Sequence, residues 1–147
     1  MVMEGKEREA VAVIRGNAGY EELYGKVFFR HVPTGGVMIT AEVIGLPNRS
    51  EFWGMHIHEV GDCTKPFDKT GSHYNPTGAV HPMHVGDLPP LLNNNGYAYL
   101  AFYDNRFQIK DILGKSIVIH SRRDDFTSQP AGDSGEKIGC GVINPIL

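Results

Sequence analysis

Short alternating segments dominate the pattern of apolar and polar positions along the chain. Seven of them alternate or are rich in β-branched and aromatic residues: EAVAVIRG, YGKVFFRHV, GVMITAEVIGL, FWGMHIH, YAYLAFYD, SIVIHS and IGCGVI. The turn-forming sequences PTGG, LPNRS and NNNG separate several of these segments. No stretch keeps a helical apolar period over three turns. The pattern predicts an all-β fold, a barrel or sandwich of short antiparallel strands.

Two long stretches lack strand character, namely residues 61–92 and residues 121–136. Loops of this length are uncommon in a compact domain and usually have a function. The same two stretches carry most of the polar residues that are able to do chemistry. We therefore expect two long functional loops on a β scaffold.

The segment FWGMHIH carries two histidines at alternate positions. Side chains of a strand alternate between its two faces, so the apolar face of this segment (Trp53, Met55 and Ile57) can fill a core. His56 and His58 then share the opposite face about 6.6 Å apart, close enough to converge on one metal ion. The segment SIVIHS repeats the pattern, with His120 on the face opposite its isoleucines.

An isolated His-x-His on a strand is more often a surface feature than a metal site. A second histidine cluster in this chain favours the metal site. The segment GSHYNPTGAVHPMHVGD supplies His73, His81, His84 and Asp87 within one predicted loop. Three imidazoles and a carboxylate form a complete tetrahedral ligand set for a structural zinc ion. Six of the chain's seven histidines then belong to two clusters, and the remaining His31 is expected to be structural or exposed.

Size and composition limit the classes of function. The chain has 147 residues, which predicts one domain over residues 1–147, and its 18 glycines agree with many tight turns. A net charge of −3 without a dense lysine and arginine stripe argues against a nucleic-acid partner. No apolar run approaches the roughly 20 residues of a membrane helix, so no membrane partner is expected.

The first residues, MVMEGKEREA, lack the apolar stretch of a secretory signal. We expect a cytoplasmic protein if this start is the native one, and an exported protein if a leader has been removed.

The motifs MHIHEVGDC, GSHYNP, HVGD and IVIHS with the later CGVI resemble the copper–zinc superoxide dismutases, in order and in spacing. The resemblance spans nearly the whole chain, and the cysteine directly after the His-x-His strand is more similar to the bacterial branch. It implies an eight-stranded antiparallel Greek-key barrel or sandwich, immunoglobulin-like, with the two long loops carrying the site.

The resemblance also implies one copper and one zinc per chain. The copper ligands would be His56, His58, His73 and His120, and the zinc ligands His73, as a bridge, with His81, His84 and Asp87. Asp124 would link the two sites through hydrogen bonds to their ligands. Cys63 and Cys140 would form the family's intrachain disulfide, whereas their spacing alone leaves free thiols equally open.

The implied activity is the dismutation of superoxide to dioxygen and hydrogen peroxide by copper redox cycling, with a structural zinc. The catalytic residues would be His73, which carries a proton, and Lys137, which attracts the anion at a position where the family usually has an arginine. Both loops are shorter than is usual in the family. Relatives are often dimers, so a homodimer is one expectation and a monomer the other.

Two other functions remain open at this point. The same scaffold could store or buffer copper or zinc without catalysis, and a zinc-only form would follow if copper is never loaded. A metallohydrolase is weakly supported, because no carboxylate is obviously placed as a general base beside an open zinc position.

Overall fold

The computed structural model describes residues 8–146. Within this range there are nine strands, one short α-helix and a 3₁₀ turn at Asp68–Thr70. The elements are β1 (Ala10–Gly16), β2 (Tyr24–His31), β3 (Val37–Ile44), β4 (Glu51–Trp53), β5 (Met55–His58), β6 (Leu91–Asn93), β7 (Ala98–Asp104), α1 (Ile109–Ile112), β8 (Ser116–His120) and β9 (Lys137–Pro145).

The strands form an antiparallel sheet that curls on itself. Seven strands pair in the order β5-β8-β9-β1-β2-β3-β7, and β4 pairs with β6. Only Gly54 separates β4 from β5, and β6 lies beside β7, so these two short strands close the curled sheet into a barrel. When β4 and β5 are counted as one strand there are eight, and the predicted all-β antiparallel barrel is confirmed.

The core lies inside this barrel and follows from the alternation along each strand. On β1, for example, the residues at alternate positions are fully buried and those between them are only partly buried or exposed. Trp53 and Phe29 are the largest side chains in the core, and neither has any exposed surface. Burying apolar side chains, many of them aromatic or β-branched, stabilises the barrel through the hydrophobic effect.

The two predicted histidine faces are confirmed by the packing of β4, β5 and β8. Trp53, Met55 and Ile57 belong to the core cluster, and so do the isoleucines of β8. His56 and His58 therefore lie on the outer face of the sheet, yet both are buried. The two long loops cover them.

The first long loop, residues 59–90, folds back along β5, which is an edge strand of the seven-stranded sheet. The Ile57 N–H donates to the Gly86 carbonyl at 2.8 Å, and the Tyr74 N–H donates to the Ile57 carbonyl at 2.8 Å. A Cβ atom on Gly86 would overlap the Ile57 carbonyl oxygen, so this approach requires glycine. Covering the edge in this way satisfies its backbone groups and brings the loop residues over the strand.

The second long loop, residues 121–136, closes over the same face from the end of β8. The Gly54 N–H donates to the Arg122 carbonyl at 2.9 Å, which ties the loop to the break between β4 and β5. Both predicted loops are thus present, and both are held by backbone hydrogen bonds near the histidines.

The sequence patterns missed the three-residue strand β6 and the four-residue helix α1. Both are too short for a hydrophobic period to be recognised. No helix among residues 8–146 is long and apolar enough to cross a bilayer. The expectation of no secretory signal concerns the first ten residues, and residues 1–7 lie outside the described range.

Candidate metal centre

Four buried histidines converge at one point above the outer face of β5 and β8. His56 and His58 come from β5, His120 comes from the end of β8, and His73 comes from the first loop. One ring nitrogen from each lies within 4.8 Å of those of the other three. His73 reaches this position because it forms an isolated antiparallel bridge opposite His58 on the strand edge.

Hydrogen bonds on the outer side of two of these rings turn a lone pair inward. The Nδ1–H of His58 donates to the Gly71 carbonyl at 2.9 Å, which leaves its Nε2 facing His120 Nε2 at 3.2 Å. The Nε2–H of His56 donates to Asp124 at 2.8 Å, and its buried Nδ1 has no hydrogen-bond partner in the described part of the chain. Lone pairs that face one another at the centre of a buried cluster are the arrangement a metal cation stabilises.

Burial also favours the neutral, ligating form of these rings. Loss of solvation lowers the pKa of His56 to about 4 and that of His58 to about 3, and it lowers the pKa of His120 as well. At neutral pH these three imidazoles are therefore unprotonated, as metal binding requires.

A second buried cluster adjoins the first and shares His73 with it. His73, His81, His84 and Asp87 place one ligand atom each within 4.8 Å of one another. Asp87 Oδ2 lies 3.0 Å from the Nδ1 atoms of both His81 and His84. Among the described residues neither nitrogen makes a hydrogen bond, and because His81 donates through Nε2 to Asp124, its Nδ1 presents a lone pair toward the carboxylate. A cation between them would remove this repulsion.

His73 joins the two clusters through its two ring nitrogens. Its Nδ1 lies 2.7 Å from Asp87 Oδ1 in the second cluster, whereas its buried Nε2 faces the first and has no hydrogen-bond partner among residues 8–146. Burial alone would raise the pKa of Asp87, but the hydrogen bond from His73 and the nearby imidazoles lower it overall. Asp87 is therefore ionised at neutral pH and suited to a divalent cation.

Asp124 connects the clusters on the side away from the lone pairs. It accepts from His56 Nε2 at 2.8 Å and from His81 Nε2 at 2.6 Å, and its Oδ1 also accepts from the Phe126 N–H at 2.8 Å. Burial raises the pKa of Asp124, yet these hydrogen bonds outweigh it and the pKa is lowered well below its usual range. A permanently ionised Asp124 fixes both rings in the tautomer that ligates through Nδ1.

The donor set fits two metal ions. The first cluster offers four imidazole nitrogens, which suit copper, and the second offers three imidazoles and one carboxylate, which suit zinc. Four buried ring nitrogens of the two clusters have no hydrogen-bond partner among the described residues, namely His56 Nδ1, His73 Nε2, His81 Nδ1 and His84 Nδ1.

A cleft of about 560 Å³ leads from the surface to the first cluster. His58, His73 and His120 line its floor, and Lys137, on the adjacent β9, lines its wall. The Lys137 ammonium donates to Thr70 Oγ1 at 2.7 Å and approaches the Gly71 carbonyl at 3.3 Å. Glu59 also lines the cleft, so a small anion that enters it passes one ammonium and one carboxylate on its way to the histidine cluster.

The cysteines form the disulfide that the resemblance implied. Cys63 in the first loop is bonded to Cys140 on β9, which lies in a small apolar cluster with Phe67 and Val118. The bridge ties the first loop to the strand that carries Lys137. His31, by contrast, lies outside both clusters and pairs with Glu9 at an exposed position.

Two residues that support the site were missed in the sequence. Thr70 has no exposed surface and bonds Lys137, and the Arg106 guanidinium donates to the His84 and Asp87 carbonyls at 3.0 and 2.8 Å. No sequence signal distinguishes either, because their roles depend on contacts between distant segments.

Comparison with known proteins relates the chain to one family. The model for copper/zinc superoxide dismutase matches residues 23–143. A Cu-Zn superoxide dismutase of Paramecium bursaria Chlorella virus 1 is 37% identical over 124 residues, which cover 73% of this chain and 65% of that protein. The chain thus spans just under two thirds of this viral relative's length.

Two further relatives match over more of their length. A Cu-Zn superoxide dismutase of Arabidopsis thaliana is 33% identical over 150 residues, covering 91% of this chain and 88% of that protein. The crystal structure of the clock protein EA4 superposes with a TM-score of 0.84 at 28% identity, covering 99% of both chains.

Proposed function

Because the chain belongs to the copper/zinc superoxide dismutase family, we propose that it dismutates superoxide to dioxygen and hydrogen peroxide. Copper is held by His56, His58, His73 and His120, and zinc by His73, His81, His84 and Asp87. The observation that carries this proposal is the shared ring of His73, whose two nitrogens face two adjoining buried clusters of lone pairs.

Copper at this position supplies one-electron exchange with superoxide, whereas zinc is redox-silent and supplies a fixed positive charge. Overall, two superoxide ions and two protons give one dioxygen and one hydrogen peroxide. His73 could hold one of these protons at Nε2 whenever that nitrogen does not bind copper, since it has no hydrogen-bond partner among the described residues and the residue lines the cleft. The other nitrogen, Nδ1, stays with the zinc side and keeps the ring in place.

Lys137 attracts the substrate. It is the one lysine or arginine among the described residues that line the cleft, where Glu59 is the one carboxylate, so its ammonium supplies the positive charge beside the histidine cluster although the chain is acidic overall. A single ammonium lacks the planar two-pronged donor of the usual arginine, and docking is correspondingly less directed.

The substitution Lys137→Arg tests this role, with dismutation measured at low and high ionic strength. We expect a faster reaction at low salt and a smaller difference at high salt, where the steering is screened. An unchanged rate at low salt would count against the proposed docking.

A storage or buffering function is the weaker alternative. A protein that only stores metal needs no path for a second small ligand, yet a cleft with a fixed cation reaches the copper-side cluster here. The decisive experiment is metal analysis of the purified chain, together with a dismutation assay after copper and zinc loading. We expect about one of each ion per chain and activity that depends on copper. A chain that takes up both ions and remains inactive would be a storage protein.

Assembly into a homodimer remains a prediction. Sedimentation analysis of the metal-loaded protein across a range of concentrations would distinguish a dimer from a monomer.

A further inference from the structure

The Lys137 side chain is held at its tip by residues of the first loop. Its ammonium donates to Thr70 Oγ1 at 2.7 Å and, more weakly, to the Gly71 carbonyl at 3.3 Å. Among the described residues no third hydrogen-bond partner accepts from this ammonium. One N–H therefore remains for an anion in the cleft.

The Thr70 hydroxyl is itself oriented. Thr70 has no exposed surface, and its Oγ1 donates to the Phe67 carbonyl at 3.0 Å. With its only proton directed to Phe67, the hydroxyl presents lone pairs to the ammonium and can only accept from it. The Val60 N–H donates to the Thr70 carbonyl at 3.0 Å, so the backbone at this position is fixed as well.

We infer that Thr70 is a positioning residue for superoxide docking, because it fixes the Lys137 ammonium at the wall of the cleft. The inference rests on the proposed dismutase function. Thr70 does not line the cleft, so it acts only through Lys137.

The physical need for such a residue follows from the lysine side chain. A lysine has a flexible four-carbon stem, whereas an arginine presents donors in a rigid plane. Anchoring the ammonium to a buried, oriented hydroxyl restores part of the direction that the guanidinium would provide. The remaining contact, to the Gly71 carbonyl, is the longer of the two and fixes the ammonium less well.

The test compares Thr70→Val, which removes the hydroxyl at nearly constant volume, with Thr70→Ser, which keeps it. We expect the metal-loaded Val variant to react about three- to tenfold more slowly with superoxide at low ionic strength. The Ser variant should recover most of this rate. Thr40→Val, the same change on β3, is the matched control and should leave the rate unchanged. Thr70→Ala serves as a second variant if the Val variant does not fold.

A pH profile separates positioning from a general structural effect. A hydrogen bond to the charged form stabilises it, so its loss should move the alkaline decline in activity to lower pH in Thr70→Val but not in Thr40→Val. In a Lys137→Met background, Thr70→Val should have no further effect on the rate.

Three results would overturn the inference, and the third would also show that the proposed function is wrong. Wild-type rates and pH profile in Thr70→Val would remove any role for the hydroxyl. A further loss of the same size in the Lys137→Met background would show that Thr70 acts on the fold and not through Lys137. If the wild-type chain carries copper and zinc and has no activity, the proposed function itself has failed.

Discussion

The substitution Asp124→Asn tests the linkage between the two metal sites. The Asp124 carboxylate accepts from His56 Nε2 through Oδ2 and from His81 Nε2 through Oδ1. An asparagine has one oxygen that accepts and one NH₂ group that donates. Whichever way the amide turns, the NH₂ group faces a ring N–H. That imidazole must then move, or carry its proton on the nitrogen that would otherwise bind metal.

The expected magnitude follows from the role of such partners. Loss of a hydrogen-bond partner behind a ligating histidine typically lowers metal affinity 10- to 100-fold, which corresponds to about 1.4 to 2.7 kcal/mol. Both contacts of Asp124 are short and buried, so no water can replace the lost acceptor. We expect a loss of this size for at least one of the two ions, and a smaller loss for the other because its remaining acceptor is neutral.

The assay is competition for copper and for zinc with chelators of known affinity, at neutral pH and for each ion separately. Asp125→Asn is the matched control, since within residues 8–146 this neighbour accepts hydrogen bonds only from residues of its own turn, among them Ser128. The reasoning would be refuted if Asp124→Asn retained both ions as tightly as Asp125→Asn.

Three further predictions concern the parts that surround the metal centre. Burial lowers the pKa of Lys137, so activity should decline at a lower pH than for an exposed lysine, and Lys137→Arg should abolish this decline in a rate–pH profile. A decline that persists in the arginine variant would assign it to another group. Cys63→Ser should lower the free energy of unfolding of the metal-free protein by roughly 4 to 5 kcal/mol in a chain-entropy treatment. This value reflects the separation of 77 residues, and a urea-denaturation difference below about 1 kcal/mol would contradict it. Arg106→Met removes two hydrogen bonds to carbonyls of the first loop and should weaken zinc binding about tenfold in chelator competition. Unchanged zinc affinity in a folded variant would mean that the loop holds its ligands without this contact.

The alternation of residues along β5 and β8 was sufficient to predict which face carries the histidines. Side chains alternate on any strand, so assigning Met55 and Ile57 to the core also assigns His56 to the outer face. The alternation alone does not predict whether the imidazoles on that outer face are exposed or buried. The two covering loops decide their burial, and loop paths leave no periodic signal in a sequence.

The motifs were sufficient to group the candidate ligands, but not to orient them. Asp124 and His56 are 68 positions apart in the chain, and their hydrogen bond determines which ring nitrogen of His56 faces inward. Lys137 and Thr70 are separated by 67 positions, and nothing in either segment predicts their contact.

Residue types and strand periodicity by themselves determined the β architecture and the two histidine-bearing segments, and the motifs showed the resemblance to the family. Those properties depend on neighbours within a few positions, where the order of residues fixes the geometry. The tertiary structure alone decided the tautomers, the anchor on Lys137 and the Arg106 contacts. Each of these requires two distant segments to meet, and only the closed barrel with its folded loops brings them together.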